Sequence, residues 1–165
     1  VAHSDFCDLV DMSTYRSVCH GIYSSHCGRA KHTDSSAYRY SGEARAQKFG
    51  SWWLWPNLSI EVFPGAPNVN IFHHVPIGPE QTMHVFEFYM QQPTPTPEQQ
   101  DAIRYIDEVL QVEDIRLVES VQRGLRSRGY DQGRFIVDQA RTDMSEHAVH
   151  HFHTLVARAL DQTSA

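Results

Sequence analysis

TMHVFEFYMQQPTPTPEQQDAIRYIDEVLQVEDIRLVESVQRGLR, residues 82–126, contains the change of hydrophobic period on which the fold turns. Its first part, Thr82 to Met90, alternates: Met83 and Val85 point one way, His84, Phe86 and Phe88 the other. A period of two predicts a strand of the antiparallel type, with substantial side chains on both faces. Beyond the proline-rich connector Gln92 to Pro97 the apolar residues recur at helical spacing. Thr96 is placed to cap, Pro97 suits the first helical position and Gln99 completes a capping box. A helix is therefore predicted from there towards Arg126, stopping near Gly129.

Upstream, Trp52 to Phe63 is a heavily aromatic run closed by the turn signal Pro64-Gly65. Asn68 to Pro76 alternates around Val69, Ile71 and Phe72. With Thr82 to Met90 these runs predict an antiparallel meander. Further back, Tyr15 to Cys27 carries Val18 and Ile22 among small polar residues and reads as one strand, and Gly28 to Gly50 reads as a long polar loop. Downstream, Arg134 to Val137 suggests a short extended piece. A last helix is predicted from near Ser145, with Val149, Phe152, Val156 and Leu160 as its buried stripe. Strands followed by helices indicate an α+β fold, an antiparallel sheet packed on a long helix.

Composition narrows the function. At 165 residues there is room for one domain with a real core. A net charge of -6 argues against a general binder of nucleic-acid phosphates. No apolar run approaches the ~20 residues of a membrane-spanning helix. Cys7, Cys19 and Cys27 are an odd set without tight spacing, so a reducing, cytoplasmic compartment is expected rather than a disulfide framework. The 11 histidines invite a search for metal partners.

One residue interrupts the helical stripe of Ile103, Ile106, Leu110, Leu117, Val121 and Leu125. At about 100° per residue, the centre of that stripe passes through position 114, which holds an aspartate. Burying a carboxylate without a partner costs on the order of several kcal/mol. The spacing leaves three outcomes open: a helix break near Val112 that turns Asp114 outwards, an ion pair with an arginine, or a metal or catalytic role.

The stretch Glu113-Asp114-Ile115-Arg116-Leu117-Val118-Glu119-Ser120-Val121-Gln122-Arg123-Gly124-Leu125 resembles the C-terminal signature of the catalytic subunits of Rieske non-heme iron oxygenases. So does the tail Ser145-Glu146-His147-Ala148-Val149-His150-His151-Phe152-His153, and Val1-Ala2-His3-Ser4-Asp5-Phe6-Cys7 resembles the end of that family's iron-binding motif. The resemblance covers nearly the whole chain and is strongest to the branch acting on glycine betaine and related quaternary ammonium compounds. It implies a mononuclear Fe(II) held by two histidines and a carboxylate, with open positions for dioxygen and substrate. His3 matches the second histidine of the motif and Asp114 the carboxylate, with Glu113 the rival one residue away. It further implies a helix-grip fold and electrons delivered by a flavin/iron–sulfur reductase through a 2Fe–2S Rieske cluster. It implies a homotrimer at full length, and oxygen insertion into a small organic substrate, by hydroxylation or oxidative N-demethylation.

Trp52, Trp53 and Trp55 are candidates for holding a quaternary ammonium group by cation–π contact, against the plainer reading that they fill core. Phe6 and Cys7, beside His3, are candidates for the same pocket. The motif's first histidine would fall two residues before Val1, and no Rieske Cys-x-His pair occurs. The expectation is therefore a partial catalytic domain over residues 1–165, without the N-terminal Rieske domain, that alone binds iron poorly and turns nothing over. Three rivals stand beside this reading: an aromatic ring-hydroxylating dioxygenase, a non-catalytic helix-grip carrier, and a zinc hydrolase built on His147, His150 and His151.

Overall fold

The computed structural model describes residues 4–31, 46–142 and 144–163; His3 lies outside them. A short helix α1 (Ser4–Leu9) leads into six strands: β1 (Val10–Cys19), β2 (Tyr23–Ala30), β3 (Lys48–Leu54), β4 (Leu58–Val62), β5 (Asn68–Gly78) and β6 (Gln81–Met90). They form one sheet in the order β1-β2-β3-β4-β5-β6, every neighbouring pair antiparallel. This is the predicted meander with two more turns than the sequence disclosed. The run from Tyr15 to Cys27 is a hairpin and not one strand, because the chain reverses at His20-Gly21-Ile22, where the His20 amide bonds to the Tyr23 carbonyl. The aromatic run Trp52 to Phe63 likewise splits into β3 and β4 at Trp55-Pro56-Asn57, residues with turn chemistry set inside an apolar stretch.

The long helix begins as predicted. Thr96 accepts from the Gln99 amide and the Gln99 side chain reaches back to the Thr96 amide, closing the capping box on α2 (Pro97–Tyr105). It then passes through a π-helical turn (Ile106–Leu110), in which the Gln111 amide reaches the Ile106 carbonyl five residues back, and continues as α3 (Gln111–Gly124). The helix is neither broken at Val112 nor regular. One inserted residue rotates everything downstream by about 100° relative to an ideal helix. Leu117, Val121 and Leu125, predicted to be buried, are exposed because α3 runs beyond the cover of the sheet.

The core lies between the inner sheet face and this helix: Leu9, Val10, Phe49, Phe63, Phe72 and Ile106, ringed by Phe6, Met12, Tyr15, Phe86, Phe88, Ala102, Tyr105 and Leu110. Residues 134–137 form no strand; Ile136 is tied instead to Glu146 through its amide and carbonyl. The last helix, α4 (His147–Thr163), docks on β1. Its inward residues include His147, His151, Phe152 and Leu155, while Val149 and Leu160 of the predicted stripe are exposed.

Candidate functional site

Residues directly opposite in an antiparallel sheet share a face, so the register defines what the helix looks down upon. One row crosses the whole sheet: Ser17, His26, Ser51, Glu61, Asn70 and Phe88. The next row is Cys19, Ser24, Trp53, Ser59, Phe72 and Phe86. Both face the helix. In β4 this inverts the usual pattern: polar Ser59 and Glu61 point to the interior, and apolar Leu58, Ile60 and Val62 point to the outer face. A polar row inside a sheet needs internal partners or a ligand.

Most of the row is satisfied. The His26 ring binds Tyr15 Oη (3.2 Å) and Ser17 Oγ (2.9 Å) through Nδ1, and Ser24 Oγ (3.0 Å) through Nε2. Burial, helped by the charge of His147, lowers its pKa, so the ring is held neutral with both nitrogens engaged. Burial also pushes the Tyr15 phenol up to about 12, with the charge of Glu61 contributing. His147, itself buried, bonds to Ser145 Oγ (3.0 Å) and to the Ser17 carbonyl (2.9 Å), clamping α4 to β1.

Glu61 is different. Ser51 Oγ donates to its Oε1 at 3.1 Å, and among the described residues it has no other hydrogen bond and no basic partner. Burial pushes its carboxyl up to about 7, and the charge of Asp114 adds to the shift. Asp114 is thus near enough for its charge to act on Glu61, and it sits in the half-buried run 109–114 just before the helix becomes exposed.

The tryptophans are divided. Trp53 stacks on His74 (ring centroids 4.9 Å apart) and meets the edge of Phe152 (5.5 Å), which also touches Trp55 (5.6 Å). Trp52 pairs with Ser25 and Ile60 on the outer face, so the three do not form one cage. Trp53 Nε1 is buried without a partner among the described residues. Phe6 packs edge-on against Tyr15 and Phe49 as part of the core; Cys7 is half-buried on α1, its carbonyl accepting from Lys31 Nζ. A small cleft of about 70 Å³ lined by Phe63, Asn70, Phe88, Gln99 and Ile106 opens on the same side of the sheet, but neither Asp114 nor a tryptophan lines it.

Among the described residues no three histidine, cysteine, aspartate or glutamate side chains converge on a point that would hold a metal. This removes the zinc site of His147, His150 and His151, of which His147 is committed to Ser145 and Ser17. For iron, the described residues supply one corner, the hard oxygen donor Asp114, set beside a second carboxylate that lacks a cation. That donor chemistry fits a ferrous ion whose histidines come from elsewhere. Glu61 escaped the sequence reading. Its only signal was the placement of polar residues between Leu58, Ile60 and Val62, which conventional patterning assigns to solvent.

Residues 11–162 match the family described as ring hydroxylating alpha subunit (catalytic domain). The carnitine monooxygenase oxygenase subunit of Escherichia coli (strain K12) is 36% identical over 158 residues, covering 95% of this chain and 42% of that protein. Choline monooxygenase of Arabidopsis thaliana, a chloroplastic protein, is 27% identical over 158 residues, covering 94% and 34%. The solved structure of a quaternary ammonium Rieske monooxygenase superposes with a TM-score of 0.85 at 33% identity, over 95% of this chain and 42% of that one. Another, in complex with L-carnitine, gives 0.79 at 32% identity, over 95% and 40%. The chain thus spans about 42% of the length of the bacterial relatives.

Proposed function

The chain belongs to the ring-hydroxylating alpha-subunit catalytic-domain family, and on that footing we propose that it is the oxygen-activating segment of a Rieske-type monooxygenase acting on a small quaternary ammonium compound. The observation that carries the reading is Asp114, a half-buried carboxylate on the long helix whose charge acts on inward-facing Glu61, in a domain similar to carnitine and choline monooxygenases. Membership of this family implies a mononuclear iron and a Rieske cluster. In our reading Asp114 and His3 hold the iron, which when bound supplies the centre for dioxygen activation. His3 lies outside the described residues, and the Rieske cluster belongs to a part of the subunit beyond this segment.

The remaining work falls to the chain itself. The capping box and the π-helical turn fix the helix so that Asp114 is presented at the edge of the covered region. The aromatics Phe49, Phe63 and Phe72 fill the core between the sheet and this helix. Trp53 and Trp55, gathered by Phe152, offer aromatic surface suited to a methylated cation, and Trp52 takes no part. We further propose an oligomer supplied by a flavin/iron–sulfur reductase. We place it in the cytoplasm because Cys7, Cys19 and Cys27 are all free thiols. No helix among the described residues is long and apolar enough to cross a membrane.

The test is substrate-dependent oxygen consumption by the complete subunit with its reductase, comparing glycine betaine, choline and carnitine with benzoate. Turnover of a quaternary ammonium compound is expected. Turnover of benzoate alone would replace this reading with aromatic ring hydroxylation.

A further inference from the structure

We propose that Glu61 is the anionic partner of the substrate's quaternary ammonium group, a substrate-binding residue on the sheet opposite the iron ligand Asp114. The inference rests on the functional reading above and extends it to a residue that neither motif nor resemblance singled out. Glu61 lies on β4 near the middle of the sheet, in the polar row that faces the helix, with Ser51 on one side and Asn70 on the other. Asn70 turns to Asn68, to whose Oδ1 its side-chain amide donates (3.0 Å), and His26 is saturated by Tyr15, Ser17 and Ser24. Among the described residues only the Ser51 hydroxyl reaches Glu61, and only at Oε1.

A half-buried, inward-facing carboxylate held by one neutral hydroxyl is poorly compensated by the described residues. Glu61 faces the helix-covered side of the sheet with no positive charge set against it among the described residues, and a trimethylammonium group is suited to supply that charge. It has no N–H to donate, so it is not recognised by paired hydrogen bonds. Its charge is spread over methyl groups, which interact with an unengaged carboxylate oxygen and with aromatic faces. Trp53 lies on the same face one row along β3 from Ser51, the strand that pairs with Glu61, which puts an aromatic surface and a carboxylate side by side. An anionic or neutral aromatic substrate would gain nothing from Glu61 and would be repelled or indifferent.

The test measures binding of choline, and of the neutral isostere in which carbon replaces its quaternary nitrogen, to the iron-loaded complete subunit containing this chain. Glu61→Gln, which preserves size and the contact with Ser51, is expected to weaken choline by at least about ten-fold, leave the isostere unchanged and retain iron. Glu61→Asp, which keeps the charge, is expected to recover part of the loss. Equal weakening of choline and isostere would assign Glu61 a packing role, unchanged choline binding would assign it none, and loss of iron would make it a metal ligand; each overturns the proposal. The functional reading has its own readout: if the wild-type subunit turns over quaternary ammonium compounds while Glu61→Gln binds them normally, only the role of Glu61 falls. If the wild type turns over none of them, the functional reading falls as well.

Discussion

The charge of Asp114 on α3 acts on the carboxyl of Glu61 on β4, adding to the upward shift that burial imposes on it. Each is legible as an oddity on its own element. Their relation exists only after the helix has been laid over the inner sheet face, and it governs how the domain responds to pH and to cations.

For Glu61 the direction of the pH effect follows from its folded pKa of about 7, raised by burial and by Asp114 above the ordinary 4.5. Below 4.5 the acid is protonated whether the chain is folded or not, and its stabilising share is complete. As pH rises towards 7 the unfolded chain ionises first, so that share is lost. Glu61→Gln should raise stability at pH 8 by about 1–3 kcal/mol and change little at pH 4. Urea denaturation at both pH values checks this, and equal midpoints for the two proteins at pH 8 would contradict it.

His74 carries the opposite sign. Burial, with the charges of His84 and His73, lowers its pKa from 6.5 to about 4 where it stacks on Trp53. Its contribution is whole above 6.5 and falls away as pH drops through 4, because the unfolded chain takes up the proton first. Thermal melts between pH 7 and pH 4 should show a shallower loss for His74→Gln than for the wild type.

Asp114→Ala in the complete subunit is expected to lower bound iron by about ten-fold or more while leaving the fold intact, since the side chain is only half-buried. Metal analysis after desalting, with circular dichroism as the fold control, decides the matter. Full iron retention would transfer the ligand role to Glu113 or elsewhere.

Gly28 is the position in β2 where a side chain has no room. A Cβ there would meet Val10 Cγ1 at 2.5 Å and Tyr15 Cδ2 at 3.2 Å. Val10 is among the most buried residues and cannot retreat. Gly28→Ala should cost about 1–3 kcal/mol, and the displaced Tyr15 should weaken its bond to His26. A melting temperature equal to wild type would show that β1 shifts freely.

Phe152 holds α4 to the sheet through Trp53 and Trp55. Phe152→Ala should cost about 2–3 kcal/mol, less than a fully enclosed phenylalanine because the site is half-buried, and should red-shift tryptophan emission. Phe152→Leu, which refills most of the volume, should recover the larger part. An unshifted spectrum in the alanine variant would mean that the indoles are shielded by something else.

What could be read in advance depended on whether the signal was local. The capping box at Thr96, Pro97 and Gln99 is written in four consecutive residues, and the structure forms it. The alternation in β5 and β6 survives for the same reason, as does the family signature around Asp114. The turn at Pro56 was hidden inside an apolar stretch and the hairpin at Gly21 inside a run of small polar residues, so neither break carries a change of period to mark it. The π-helical turn leaves no mark in the pattern, and the exposure of Leu117 and Val121 comes from where the helix outruns the sheet.

By itself, then, the sequence determined the α+β class, the antiparallel meander, the start of the long helix and Asp114 as its anomalous residue, since all four are properties of consecutive residues. Only the tertiary structure decided that Glu61 faces inward beside Asp114, that Trp52 is parted from Trp53, and that His26 is spent on Tyr15, Ser17 and Ser24. Which face of a strand becomes the interior is set by what packs against it. That is a contact between distant segments, and no local period encodes it.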